Sequence, residues 1–169
     1  MKITKDYEGL RRIENGDYVL NGDLISDEDI EIELDDRLIV KGIIESKKNI
    51  RVNVILIVDC SIEAGDGIKA GCGIKAGCGI EAGEGIIAGD DIKAGEGIIA
   101  GWGIKAGFGI ISKTYLCAGK RIFAGTSIYR TSENCDQTIR CEELRSGEIC
   151  YGKLIITKKQ PVFDNNAGE

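Results

Sequence analysis

Histidine is absent from the 169 residues, and proline, methionine and tryptophan occur once each. Without histidine the commonest general base is missing. Neither a His-completed zinc site nor a His-activated nucleophile can be assembled. A single proline excludes collagen, which also needs glycine at every third position. No apolar run approaches the roughly 20 residues of a membrane span. The opening MKITKDYEGLRR lacks the hydrophobic stretch of a signal peptide. Seven cysteines, an odd number, then read as reduced thiols, and the expected location is the cytoplasm. The net charge of −6 leaves no basic footprint for direct nucleic-acid binding. Glycine-rich strings resembling phosphate loops arise here only from a repeat and carry no weight.

That repeat occupies residues 62–111 and reads Ile-x-Ala-Gly-x-Gly at a period of six. Isoleucine recurs at Ile62, Ile68, Ile74, Ile80, Ile86, Ile92, Ile98, Ile104 and Ile110, each followed two residues later by alanine or, last, by Ser112. Residues i and i+2 of a strand share a side, so Ile and Ala face inward and the residue between them faces out. The glycine pair that follows supplies the dihedrals of a sharp corner. One hexapeptide cannot bury its isoleucine alone, so units must stack. A helical reading fails because six does not fit a 3.6-residue turn and interior glycine costs about 1 kcal/mol each. The strict inward Ile and the regular charges argue against an amyloid-like tract. The expected fold is all-β: a single-stranded, triangular parallel β-helix with three hexapeptides, about 18 residues, per coil.

The phase extends beyond the glycines. Stepping back from Ile62 gives Leu56, Ile50, Ile44, Leu38 and Ile32; stepping forward gives Leu116, Ile122 and Ile128. That predicts between five and six coils, a rod roughly 25–30 Å long at the β spacing. Residues 1–31 read as an acidic cap or degenerate first coil, 32–130 as the β-helix, 131–156 as irregular C-terminal strands and 157–169 as a polar tail.

The order small-x-aliphatic, typical of left-handed acyltransferase β-helices, is reversed here, and the histidine on which that chemistry relies is missing. The stretch Arg37 to Gly71, RLIVKGIIESKKNIRVNVILIVDCSIEAGDGIKAG, resembles bactofilin-like polymer-forming proteins over about residues 32–128. The resemblance implies a right-handed triangular β-helix and, as one functional option, a structural polymer. The acidic N-terminal and Cys-containing C-terminal additions depart from that family's pattern.

Eighteen-residue stepping sorts the outward residues into rows. One face takes Glu63, Glu81, Ile99 and Cys117; the second Lys69, Ile87, Lys105 and Phe123; the third Lys75, Lys93, Ile111 and Tyr129. Outward positions turn apolar late in the chain, which predicts a self-interface of Ile99, Trp102, Phe108, Ile111, Phe123 and Tyr129 and hence a homodimer. The alternative is that residues 139–156 fold back over this band. Residues 1–36 carry twelve acidic and four basic side chains. They point to a partner-binding acidic surface of Asp27, Glu28, Asp29, Glu31, Glu33, Asp35 and Asp36, continued by Glu63, Asp66, Glu81 and Glu84. Cys60 and Cys78 share a corner, but the spacing does not suit zinc. No catalytic set, cofactor or metal site is expected. The functional expectation is a non-enzymatic module that dimerises and binds or inhibits a protein partner. By analogy with pentapeptide-repeat helices, that partner is alternatively a nucleic-acid enzyme, met by a nucleic-acid mimic such as a phage anti-CRISPR inhibitor.

Overall fold

A computed structural model describes residues 1–125 and 138–157. Among them every regular element is a strand, and there is no helix, hence none long and apolar enough to cross a membrane. Three-residue strands follow one another at intervals of six from Leu38 to Ser112, each flanked by a corner. Each pairs in parallel with the strand one coil away: Ile44 with Ile62, Ile62 with Ile80, Ile80 with Ile98. The chain is a parallel β-solenoid of about seven coils. The first face contains the strands at Leu24, Ile44, Ile62, Ile80 and Ile98; the second those at Ile30, Ile50, Ile68, Ile86 and Ile104; the third those at Tyr18, Leu38, Leu56, Ile74, Ile92 and Ile110. A ten-residue strand, Tyr115–Ala124, passes from the first face to the second without a break and joins them into one thirteen-stranded sheet. The third face is a nine-stranded sheet.

The period-two inward pattern makes the core. The isoleucines from Ile62 to Ile110 are at most 2% exposed, and each strand reads buried, outward, buried. Toward the N-terminus Val40, Val52 and Val58 replace alanine, so the core there carries more methyl groups per coil. Ser46 and Ser112 also point inward. Ser46 Oγ donates to Glu28 O at 2.8 Å, and Ser112 Oγ lies 2.6 Å from both Glu96 O and Tyr115 O, so both buried hydroxyls are satisfied.

Three features depart from the expectations. The strand before Leu38 is anchored by Ile30, with Ile32 in the second inward place: Ile30 pairs with Ile50 and Ile32 with Val52. Both point inward, so stepping by six landed on the wrong one. The corner between Ile32 and Leu38 is two residues longer than the rest, and the first full coils advance by twenty residues. Asn53 closes this corner, accepting from Leu34 N at 3.0 Å and donating to Leu34 O at 2.8 Å.

The second departure concerns glycine. None of the repeat glycines has positive φ. The first glycine of a pair is needed instead because its corner sits against the preceding coil's backbone: a Cβ on Gly77 would stand 1.9 Å from Asp59 O. The second glycine of that pair, Gly79, has its nearest neighbour at 3.6 Å and is not so confined.

The third is the C-terminal coil. Ile139, Leu144, Ile149 and Leu154 take the anchor places at intervals of five, and the coil pairs in parallel with the rung before it through several register shifts. These strands stack on the rod's end rather than folding back over its side. At the other end, the strand Leu10–Arg12 pairs antiparallel with Tyr18–Leu20 and breaks the parallel stacking on the third face.

Candidate functional site

Stacking in register turns each outward position into a straight row with one side chain per coil, about 4.8 Å apart. The first face presents Ile25, Glu45, Glu63, Glu81, Ile99 and Cys117. The second presents Glu31, Arg51, Lys69, Ile87, Lys105 and Phe123. The third runs Ile57, Lys75, Lys93 and Ile111, and the register partner of Ile111 is Arg140. Tyr129, expected in that place, lies outside the described residues.

The expected apolar band is therefore divided. Ile99, Phe123 and Ile111 stand half-buried on three different faces, and Trp102 and Phe108 on two different corners. Trp102 is 59% exposed and Phe108 40%, so neither is covered by the described residues. Among the described residues of the band, Trp102 and Phe123 line one groove, together with Ile87.

The acidic run is accounted for by its neighbour coil. Residues 27–32, DEDIEI, lie twenty positions before residues 47–52, KKNIRV, and pair with them almost one to one. Asp27 bonds Lys47 at 2.5 Å, Glu28 bonds Lys48, and Arg51 bridges Asp29 at 2.8 Å and Glu31 at 3.7 Å. Lys2 holds Glu33 at 2.9 Å, and Arg12 holds Asp36 at 3.0 Å and Asp35 at 3.7 Å. Asp29 also accepts the Asn49 backbone N–H, and this bond, with Arg51 and the Asn49 side chain, lowers its pKa to about 2. Hydrogen bonds from Lys47 to Asp27 and from the Tyr18 hydroxyl to Asp35 lower those carboxyls as well. Of the seven N-terminal carboxylates expected to meet a partner, Asp27, Glu28, Asp29 and Glu31 thus join the first two coils, and Glu33, Asp35 and Asp36 tie the N-terminal strands to the first. Glu63, Glu81 and Glu84 have no cation within ion-pair distance among the described residues, and Asp66 accepts from Asn49 Nδ2 at 3.4 Å and helps to keep Lys48 charged.

The groove on the second face encloses about 700 Å³ and spans five coils, from Arg51 to Phe123. Ile87, Trp102 and Phe123 supply its apolar surface, and the glycine corners at Gly67, Gly85 and Gly103 leave it open along one side. Arg51, Lys69, Lys105, Lys120 and Arg121 surround it, against one carboxylate, Glu84. Lys120 Nζ sits 4.5 Å from the centre of the Trp102 ring, a cation–π contact that fixes the indole on the corner. Lys69, Lys105 and Arg121 have no carboxylate partner among the described residues. Lys69, Ile87, Lys105 and Phe123 were already one row in the sequence. The outward strand positions alone do not include Lys120 and Arg121, which stand at the corner eighteen residues after Trp102 and Gly103.

Among the described residues no cluster of His, Cys, Asp and Glu is arranged to hold a metal ion, and six cysteines are free thiols. Cys78 follows Cys60 on one corner, its N–H donating to Cys60 O at 3.1 Å. Cys117, whose eighteen-residue partner would be Cys135, instead lies beside Ser146, Sγ to Oγ 3.0 Å; Cys135 is outside the described residues. No family model matches the chain, and no curated protein or solved structure matches it either.

Proposed function

We propose that the chain is a non-enzymatic protein-interaction module: a rigid β-solenoid that binds, and by binding can inhibit, a protein partner through the groove on its second face. The observation that carries this reading is an apolar trio, exposed Ile87 and Trp102 with half-buried Phe123, set among Lys69, Lys105 and Arg121, which have no carboxylate partner among the described residues. Scattered exposed apolar residues are ordinary, but a contiguous group rimmed by polar residues marks an interface. Trp and Arg are the side chains that most often carry binding energy at an interface centre. The scaffold adds to this. Each strand is hydrogen-bonded on both sides through the body of the rod, so little ordering is left to pay for on binding.

The test compares affinity capture, from lysate of the producing cell, by wild type, by Trp102→Ala/Phe123→Ala and by Phe108→Ala. The expected result is a defined set of proteins held by wild type and by Phe108→Ala and lost by the groove variant. Trp102 is the chain's single tryptophan, so its emission should shift when a captured protein is titrated back. Capture of the same set by the groove variant, or of nothing by wild type, would overturn the reading.

A further inference from the structure

The first and second faces of the rod carry rows of opposite sign. Glu45, Glu63 and Glu81 are stacked directly over one another, and like charges in that arrangement repel. None of the three has a cation within ion-pair distance among the described residues. On the other face Lys69 and Lys105 flank Ile87 and are equally without a carboxylate. Each row also contains an apolar position, Ile99 on the first and Ile87 on the second.

The interval between side chains is what selects an occupant. Both rows step by about 4.8 Å, the spacing of hydrogen-bonded strands. An extended peptide returns a side chain to the same side only every ~6.5–6.8 Å. An α-helix advances about 5.4 Å per turn. Neither stays in step with the row over four coils, whereas a second rod of the same construction does. Brought together parallel and offset by one coil, the first face of one copy sets Glu81 against Lys69 and Ile99 against Ile87 on the second face of the other, while Glu45 and Glu63 meet Glu31 and Arg51, which are already joined to each other.

We infer that the groove's partner is a second copy of this chain, whose glutamate row docks over the lysine row in side-by-side self-association. This inference rests on the groove being a protein-binding surface. The contact is heterologous, so one copy keeps a free basic face and the other a free acidic face, and growth does not have to stop at two. Attraction between exposed rows is screened over about 8 Å at physiological ionic strength, so the assembly is salt-sensitive.

Light scattering and sedimentation of wild type, Glu81→Lys, Lys69→Glu and their equimolar mixture test it. Wild type in low salt should exceed the 18.2 kDa of one chain and fall toward it as salt is added. Each charge reversal alone should weaken association at least about tenfold, because it places like charges face to face. The mixture should restore it, since each reversed residue then meets its complement on the other variant. A wild type that stays at 18.2 kDa in low salt overturns the inference without any variant. So do reversals that associate as wild type does, or a mixture that fails to recover while both variants keep the wild-type far-UV spectrum. A monomeric wild type that still captures a foreign protein, lost on Trp102→Ala, would sink self-association and leave the interaction module standing. A monomer that captures nothing would sink both.

Discussion

At the scale of single residues, the two glycines of a corner have different reasons to be there. Gly77 lies under Asp59 O of the preceding coil, where a Cβ would meet it at 1.9 Å; Gly79 has open space to 3.6 Å. Gly77→Ala should therefore lower stability by about 1–3 kcal/mol, as overpacking does. Gly79→Ala should stay within about 0.5 kcal/mol of wild type, as surface changes do. Urea midpoints of the two variants check this, and equal losses would mean that both glycines serve the corner's dihedrals after all. Asp29 supports a second residue-level expectation. Its folded pKa of about 2 lies below the ordinary carboxylate value, so the folded state binds fewer protons than the unfolded one. Its contribution is complete above the unfolded pKa near 3.8 and is lost as pH falls toward 2. The urea midpoint of wild type should drop between pH 4 and pH 2. Asp29→Asn, which cannot titrate, should start lower at pH 7 and lose less over that window.

At the scale of the element, the strands and their inward residues were legible in the sequence, because an Ile-x-Ala unit admits one way of being half-buried. Phase was less secure where two neighbouring inward places both hold isoleucine, as at Ile30 and Ile32. There the step of six has nothing to distinguish them, and the two-residue longer corner at Leu34 goes unseen. The ion pairs between residues 27–31 and 47–51 were hidden for the same reason. They become visible only at a spacing of twenty, and a composition count reads them as an acidic segment followed by a basic one. The register there is fixed by the inward isoleucines rather than by the charges: shifting that coil by one residue would still set Asp29 against a cation, Lys48, but would turn Ile30 outward. The groove was partly legible: one row of it follows from counting outward strand positions by eighteen, while Lys120 and Arg121 emerge only when the corner positions after Trp102 and Gly103 are counted the same way.

At the scale of the whole molecule, each coil touches only its neighbours, and stability becomes a sum of local contributions. The N-terminal coils hold Val40, Val52 and Val58 where later coils hold Ala70, Ala88 and Ala106, and they carry the ion-pair ladder besides. Hydrogen exchange should therefore be slowest around Leu38–Val58 and quicken toward Ile104–Ala124, following buried apolar area. Uniform protection along the rod would mean that it unfolds as a single unit. Ile74→Ala, in the middle, should cost about 2–5 kcal/mol and separate the two halves into distinct transitions. The stacking also constrains how such a chain can change in length. Adding eighteen residues in the repeat would lengthen the rod by about 4.8 Å and leave every face's row in line. Adding six would turn everything downstream through one face, laying the lysines of one half in line with the glutamates of the other. The same fold would survive both insertions, but only the first would leave the surface saying the same thing.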